Sequence, residues 1–278
     1  MLYFYLILSA ALLPILNNFF DIFRQSYSWW AVPLMFIGFF VGFIILHILL
    51  LILAFVPVSL KSDREKGTKF YRFIVNISLP MVITLARVKI NVTGMSPDDI
   101  PKDKRMLFIC NHQFDFDPVI LMSVFNKIEI GYIGKKDIIK ELNLIAKAMH
   151  KLYGLFIDRE NDREAAKTII EAIRIIKNDK ASIGVFPEGY ASPSCELLPF
   201  RNGVFKIALK TNAPIVVCAI NNTRQIPKNM FRRKTEIDFK IADVVYPEQY
   251  EGMNTVELGA MLYEKMEKAY NEIRKPQD

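Results

Sequence analysis

Formal charge is almost absent from the first 60 residues, where Asp21 and Arg24 are its only carriers, although the whole chain holds 36 Lys/Arg and 29 Asp/Glu in 278 residues. A water-soluble surface cannot be built from that segment, and the shift in charge density beyond it marks the clearest domain boundary. Basic residues are also missing ahead of the first apolar run, which argues against a secretory signal. Cysteine is scarce: Cys110, Cys195 and Cys218 are odd in number and show no paired spacing. They read as reduced cytosolic thiols, with neither a disulfide framework nor a zinc site. No Gly-x-Ser-x-Gly elbow occurs, so a serine-hydrolase nucleophile is not supported. No basic helix or aromatic-interleaved basic patch occurs either. The net charge of +7 and pI near 9.2 therefore point to an anionic membrane surface or phosphorylated substrates, with no nucleic acid as partner.

Long apolar runs are what the N-terminal part does have. Leu2–Phe20 is just long enough to cross a bilayer. Ala31–Leu60 would extend roughly 45 Å as a helix. Lys61, Arg64, Lys66, Lys69 and Arg72 follow at once, against Asp63 and Glu65, and such an excess marks the cytoplasmic side. Residues 1–60 are thus expected to form a membrane-embedded helical hairpin. Asp21–Ser28 would be its short outer turn, with Trp29 and Trp30 at the interface, and a hairpin lying in one leaflet is the alternative. His47 is either an intramembrane functional group or a neutral imidazole that sits between helices or snorkels outward. Residues 61–87 are read as an amphipathic linker, with Phe70–Leu85 helical and kinked at Pro80.

Beyond it, residues 88–278 read as one catalytic domain. Short β-rich runs at Val88–Val92, Met106–Cys110, Gly131–Ile133, Leu155–Ile157, Ser182–Phe186, Ile215–Ile220 and Ile237–Val244 alternate with helical patterns. The helices are expected at Pro118–Phe125, Lys136–His150, Arg163–Lys177, Gly203–Thr211 and Val256–Arg274. Asn161 with Glu164 resembles a capping box. Alternation of this kind predicts an α/β fold, a mostly parallel sheet covered by helices on both faces. Functional residues should gather in loops after the carboxyl ends of strands.

Three such loops carry chemistry. In Asn111-His112-Gln113-Phe114-Asp115-Phe116-Asp117-Pro118, a carboxylate follows a histidine by five residues. If the chain turns back, the carboxylate fixes the imidazole tautomer and the other ring nitrogen takes a proton from a hydroxyl. The competing reading makes Asp117 a helix N-cap before Pro118. A metal site from His112, Asp115 and Asp117 lacks a second nearby histidine or cysteine. In Gly154-Leu155-Phe156-Ile157-Asp158-Arg159, Arg159 emerges where a guanidinium can hold a phosphate, or else pairs with Glu160 or Asp162. Asp158 would organise the turn. Phe186-Pro187-Glu188-Gly189 fits a type I turn, which accounts for Pro187 and Gly189 but leaves the glutamate unexplained.

In this order, followed by Ala213-Pro214-Ile215-Val216-Val217, these segments resemble the four motifs of the glycerolipid (lysophospholipid) acyltransferase family, most like the 1-acylglycerol-3-phosphate acyltransferases. The likeness covers roughly residues 88–245. It implies His112 as general base and Asp117 as its orienting partner, with Arg159 contacting phosphate. Glu188 and Gly189 fall in the acceptor-binding motif; Lys136 and Arg201 are further substrate-binding candidates, since Lys135-Lys136 and Pro199-Phe200-Arg201-Asn202-Gly203 resemble stretches between the motifs. One departure stands out: the family commonly continues Gly-Thr-Arg where this chain has Gly189-Tyr190-Ala191. A basic acceptor contact is missing there, so either Arg201 compensates or the acceptor carries another head group.

The implied reaction is acyl transfer from acyl-CoA or acyl carrier protein to the free hydroxyl of 1-acylglycerol-3-phosphate, forming phosphatidate for phospholipid biosynthesis at the cytoplasmic side of the cell membrane, without metal or cofactor. Backbone N–H groups near the helix start would steady the oxyanion. Another lysophospholipid or glycerol-3-phosphate as acceptor, a thioester or lipid hydrolase, and a non-catalytic lipid-binding protein are the alternatives.

Overall fold

The computed structural model describes residues 1–20, 31–65, 68–230 and 232–274. The expected outer turn at 21–28, with Trp29, Trp30 and Lys66, lies outside the described residues. The chain divides into two compact units, residues 1–59 and 60–278.

The first unit consists of α1 (Leu2–Phe20) and α2 (Ala31–Phe55). α2 is long and apolar enough to cross a membrane, whereas the apolar part of α1, Leu2–Asn18, is shorter. Leu34, Ile37, Val41, Ile45 and Leu49 of α2 are exposed, as lipid-facing side chains would be. Tyr5 Oη and His47 Nδ1 lie 2.7 Å apart, and the Tyr5 and Phe43 rings stack at 5.8 Å. These contacts join the start of α1 to the second half of α2, so the helices run antiparallel. The His47 imidazole is thus buried between the two helices rather than snorkelling outward.

The second unit contains α3 (Thr68–Leu85), β1 (Val88–Gly94), β2 (Leu107–Cys110), α4 (Asp117–Val124), β3 (Ile130–Lys135), α5 (Ile138–Glu141) and α6 (Asn143–Lys151). It continues with β4 (Leu155–Ile157), α7 (Asp162–Lys177), β5 (Ser182–Val185), α8 (Lys206–Thr211), β6 (Ile215–Asn221), α9 (Ile226–Asn229), β7 (Thr235–Val245) and α10 (Thr255–Ile273). The strands form one sheet in the order β1-β7-β6-β2-β5-β3-β4. Every pairing is parallel except β6 with β7. The sheet is therefore mostly parallel but mixed.

Alternation along the strands sorts side chains onto two faces. Leu107, Ile109, Ile183, Val185, Ile215 and Val217 pack with α7, α8 and α10. Phe108, Cys110, Val216, Cys218, Phe239 and Ile241 pack on the other face, with Ile120 and Leu121 of α4. Helices thus cover both faces, as a sheet of unbroken apolar runs requires.

Local departures have local causes. The helix expected over 136–150 is broken at Leu142, whose φ of −135° leaves helical space and separates α5 from α6. The helix expected from Gly203 begins as a 3-10 turn at Asn202–Phe205 before α8. α3 continues through Pro80 as one helix. At the start of α7 only half of the capping box forms: Asn161 accepts from the Glu164 N–H, but the Glu164 carboxylate pairs with Lys167.

Candidate active site

Because β2, β3, β4 and β5 run parallel, their carboxyl ends open on the same edge of the sheet, and the loops leaving them meet there. β2 delivers His112. The chain then turns, Phe116 rather than Asp117 takes the N-cap position of α4, and Asp117 opens the helix with Pro118 next. The Asp117 side chain is thereby released from capping and points back into the turn. Its Oδ2 receives the N–H groups of Gln113 (2.6 Å) and Phe114 (2.9 Å) and lies 2.7 Å from His112 Nδ1. A carboxyl group that is 0% exposed and fixed by two backbone N–H groups keeps the imidazole in one orientation. Nε2 remains as the ring nitrogen able to take a proton. The ring stacks on Phe186, centroids 4.5 Å apart, which fixes its plane.

The N–H groups that were expected to serve an oxyanion are largely engaged. Those of Gln113 and Phe114 serve Asp117, and those of Asp117, Val119 and Ile120 bond to Phe114 or Phe116 carbonyls. Pro118 has none.

β5 ends in the expected turn, with the Gly189 N–H donating to the Phe186 carbonyl at 3.0 Å. Glu188 does not project into open space. It is 3% exposed, and its two oxygens accept from the N–H groups of His112 (2.6 Å) and Leu198 (2.8 Å). Burial raises its pKa to about 7 against those two bonds, which favour the carboxylate. Its geometry is that of a brace beneath the histidine loop rather than of an acceptor contact. Ser192 adds a second brace by donating its N–H to the His112 carbonyl at 2.7 Å.

Gly189 has φ +81°, and a Cβ there would meet Arg201 Cδ at 2.9 Å. Its bareness lets the Arg201 side chain cross it. Arg159 makes neither of the ion pairs its neighbours offered: its guanidinium lies over the ring of Tyr190, as does that of Arg201. Burial, and to a smaller degree the nearby Arg201, holds the Arg159 guanidinium below its usual value. Lys136 stands apart from this group. It is half exposed and its Nζ lies 3.1 Å from Asp158 Oδ2, while Asp158 also receives the Glu160 N–H and so shapes the turn.

Arg159 and Arg201 line an open groove of about 730 Å³ whose walls include Ile157, Ile169, Ile170, Ile173, Val185 and Val204, with Asp162, Lys177, Lys206 and Lys210 also on its lining. Apolar walls with a surplus of cationic side chains among them suit an amphiphile that carries an anionic head.

Sequence reasoning left Asn111 without a role. Its buried side chain donates to the Ile220 carbonyl (2.9 Å) and accepts the Ile220 N–H (2.7 Å), tying the end of β2 to β6 just before His112. Tyr190 had been visible only as a departure from a pattern. Gln113, which donates to Tyr270 Oη at 2.9 Å, gave no signal at all, because its partner lies in α10.

Residues 89–221 match the family model described as Acyltransferase. That stretch is an acyltransferase-family domain. The matched stretch contains His112, Asp117, Arg159, Glu188 and Arg201. This acyltransferase is 29% identical over 178 residues to the 1-acyl-sn-glycerol-3-phosphate acyltransferase of Haemophilus influenzae, covering 64% of this chain and 73% of that protein. It is 30% identical over 141 residues to the protein of the same name in Escherichia coli, covering 50% of this chain and 57% of the relative. Its fold resembles the crystal structure of the 1-acyl-sn-glycerophosphate (LPA) acyltransferase from Thermotoga maritima, with a TM-score of 0.59 and 24% identity over 76% of this chain and 84% of that one.

Proposed function

We propose that this acyltransferase moves an acyl group from an acyl thioester, on coenzyme A or acyl carrier protein, to the free hydroxyl of 1-acylglycerol-3-phosphate, forming phosphatidate. The observation that carries the reading is the His112–Asp117 pair, 2.7 Å apart, at the same sheet edge as an apolar groove lined by Arg159 and Arg201. The relatives' names point to the same acceptor.

In this reaction His112 Nε2 takes the hydroxyl proton as the oxygen attacks the thioester carbonyl. The tetrahedral intermediate collapses, the C–S bond breaks, and the imidazolium returns the proton to the departing thiolate. Asp117 steadies the imidazolium between these steps. Arg159 and Arg201 would hold the phosphate, and the apolar groove would take an acyl chain. Membrane lipids supply the acceptor, and we place the catalytic unit at the cytoplasmic face on the strength of the basic residues after α2.

The test is thiol release from acyl-CoA and acyl carrier protein thioesters by the full chain in lipid nanodiscs, with lysophosphatidate, other lysolipids or no acceptor. Release that requires lysophosphatidate and falls by about 10²–10⁴ in His112→Ala is the expected result. Release without acceptor would make the protein a hydrolase. Indifference to His112→Ala would remove the base from the mechanism.

A further inference from the structure

Two cations converge on one half-exposed aromatic ring. Arg159 Cζ lies 5.1 Å and Arg201 Cζ 4.9 Å from the centroid of Tyr190, and Arg201 Nη2 donates to Tyr190 Oη at 3.0 Å. Among the described residues no carboxylate lies within salt-bridge distance of either guanidinium. Like charges left to themselves in water would separate, so something must hold them. The Arg201 end is built in three steps. Its N–H bonds to the Pro187 carbonyl at 2.8 Å, its shank crosses bare Gly189, and its head reaches the Tyr190 ring. Arg159 meets the same ring, and both arginines line the groove.

We propose that Tyr190 is a positioning residue that gathers Arg159 and Arg201 into one site for the phosphate monoester of the acceptor. The inference rests on the acceptor reading above. The negative face of the ring attracts both guanidiniums without neutralising them, as a carboxylate would. A guanidinium lying over a ring keeps its N–H edge for bidentate contact with a phosphate. Two unneutralised cations also reward the second charge of a monoester dianion, which a phosphodiester head lacks. Tyr190 would therefore contribute to head-group selection without touching the reacting atoms.

The experiment measures equilibrium binding of lysophosphatidate without donor, and then kcat and KM with donor, for the full chain in nanodiscs. Wild type, Tyr190→Leu and Tyr190→Phe are compared, with lysophosphatidylglycerol as the diester acceptor. Loss of two cation–π contacts in Tyr190→Leu is expected to raise Kd and acceptor KM for lysophosphatidate about 10-fold. Its kcat and donor KM should stay within about 2-fold, and discrimination against the diester should shrink. Tyr190→Phe keeps the ring and is expected to stay within about 3-fold of wild type. Unchanged lysophosphatidate binding in Tyr190→Leu would overturn the inference, as would a fall in kcat at constant KM or an equal loss in Tyr190→Phe. If the wild type binds lysophosphatidate without acylating it, the proposed reaction fails, while the ratio of the two Kd values still decides the role of Tyr190. A wild type that does not bind lysophosphatidate would overturn both.

Discussion

Glu188 shows how one buried carboxyl shapes a site from below. Its two oxygens stitch the N–H of His112 to that of Leu198, so the loop bearing the base cannot drift from the turn after β5. Because burial raises its pKa to about 7, the folded chain keeps a proton there between about pH 4.5 and 7 that the unfolded chain has lost. The stability contributed by this proton is complete below about pH 4.5 and disappears as the pH rises through 7. Glu188→Gln does not titrate, and its amide can accept at only one of the two sites. The variant should be less stable throughout. Its deficit relative to wild type should widen by an amount of order 3 kcal/mol as the pH falls from 8 to 4.5. Thermal unfolding of both proteins across that range measures this, and a gap independent of pH would mean that Glu188 is ionised in the fold.

At the scale of elements, α7 serves both the core and the groove. Its 3.6-residue apolar period turns Ile169, Ala172 and Ile176 toward the sheet, while Ile170 and Ile173 extend the apolar lining outward. A helix with that period and a capping residue at Asn161 is legible in sequence, and so are the strands, because short β-rich runs between turn residues have few other solutions. The break at Leu142 and the 3-10 turn before α8 were not legible: Leu142 has no proline or glycine beside it, and Gly203 inside the turn does not tell a 3-10 start from an α-helical one. If the groove holds an acyl chain, Ile173→Trp should exclude its distal carbons. Losing burial of two to three methylenes at ~0.8 kcal/mol each lowers kcat/KM for long chains by roughly 10–50-fold. Octanoyl substrates should be little affected, with chain length varied separately in donor and acceptor. Equal losses for short and long chains would place the chain elsewhere.

For the molecule as a whole, the first 60 residues carry one charge of each sign, so the net +7 belongs to the rest of the chain. Both apolar layers flanking the sheet likewise lie within residues 60–278. A fragment of residues 60–278 is expected to fold, with near-UV circular dichroism like that of the full chain. It should bind vesicles only weakly. The residual binding should require anionic lipid, weaken as salt shortens the Debye length, and fall further when exposed Phe70 and Phe73 of α3 become serine. Vesicle sedimentation measures it, and binding insensitive to both salt and these substitutions would reject this view of the second unit.

The sequence by itself determined the apolar N-terminal helices, the alternation of strands and helices, and the loops that bear His112, Arg159 and Glu188. Periodicity, charge density and turn chemistry are local properties and can be read along the chain. The sequence also showed that a dyad between His112 and Asp117 needs a turn. Only the tertiary structure decided that Phe116 takes the N-cap and frees Asp117 to hold the imidazole. Tertiary packing likewise turned Glu188 inward as a brace, left Lys136 paired with Asp158, and brought Arg159 and Arg201 to Tyr190. Those outcomes depend on which loops meet at the carboxyl edge of the sheet, and that is set by strand order, which joins residues far apart in the chain.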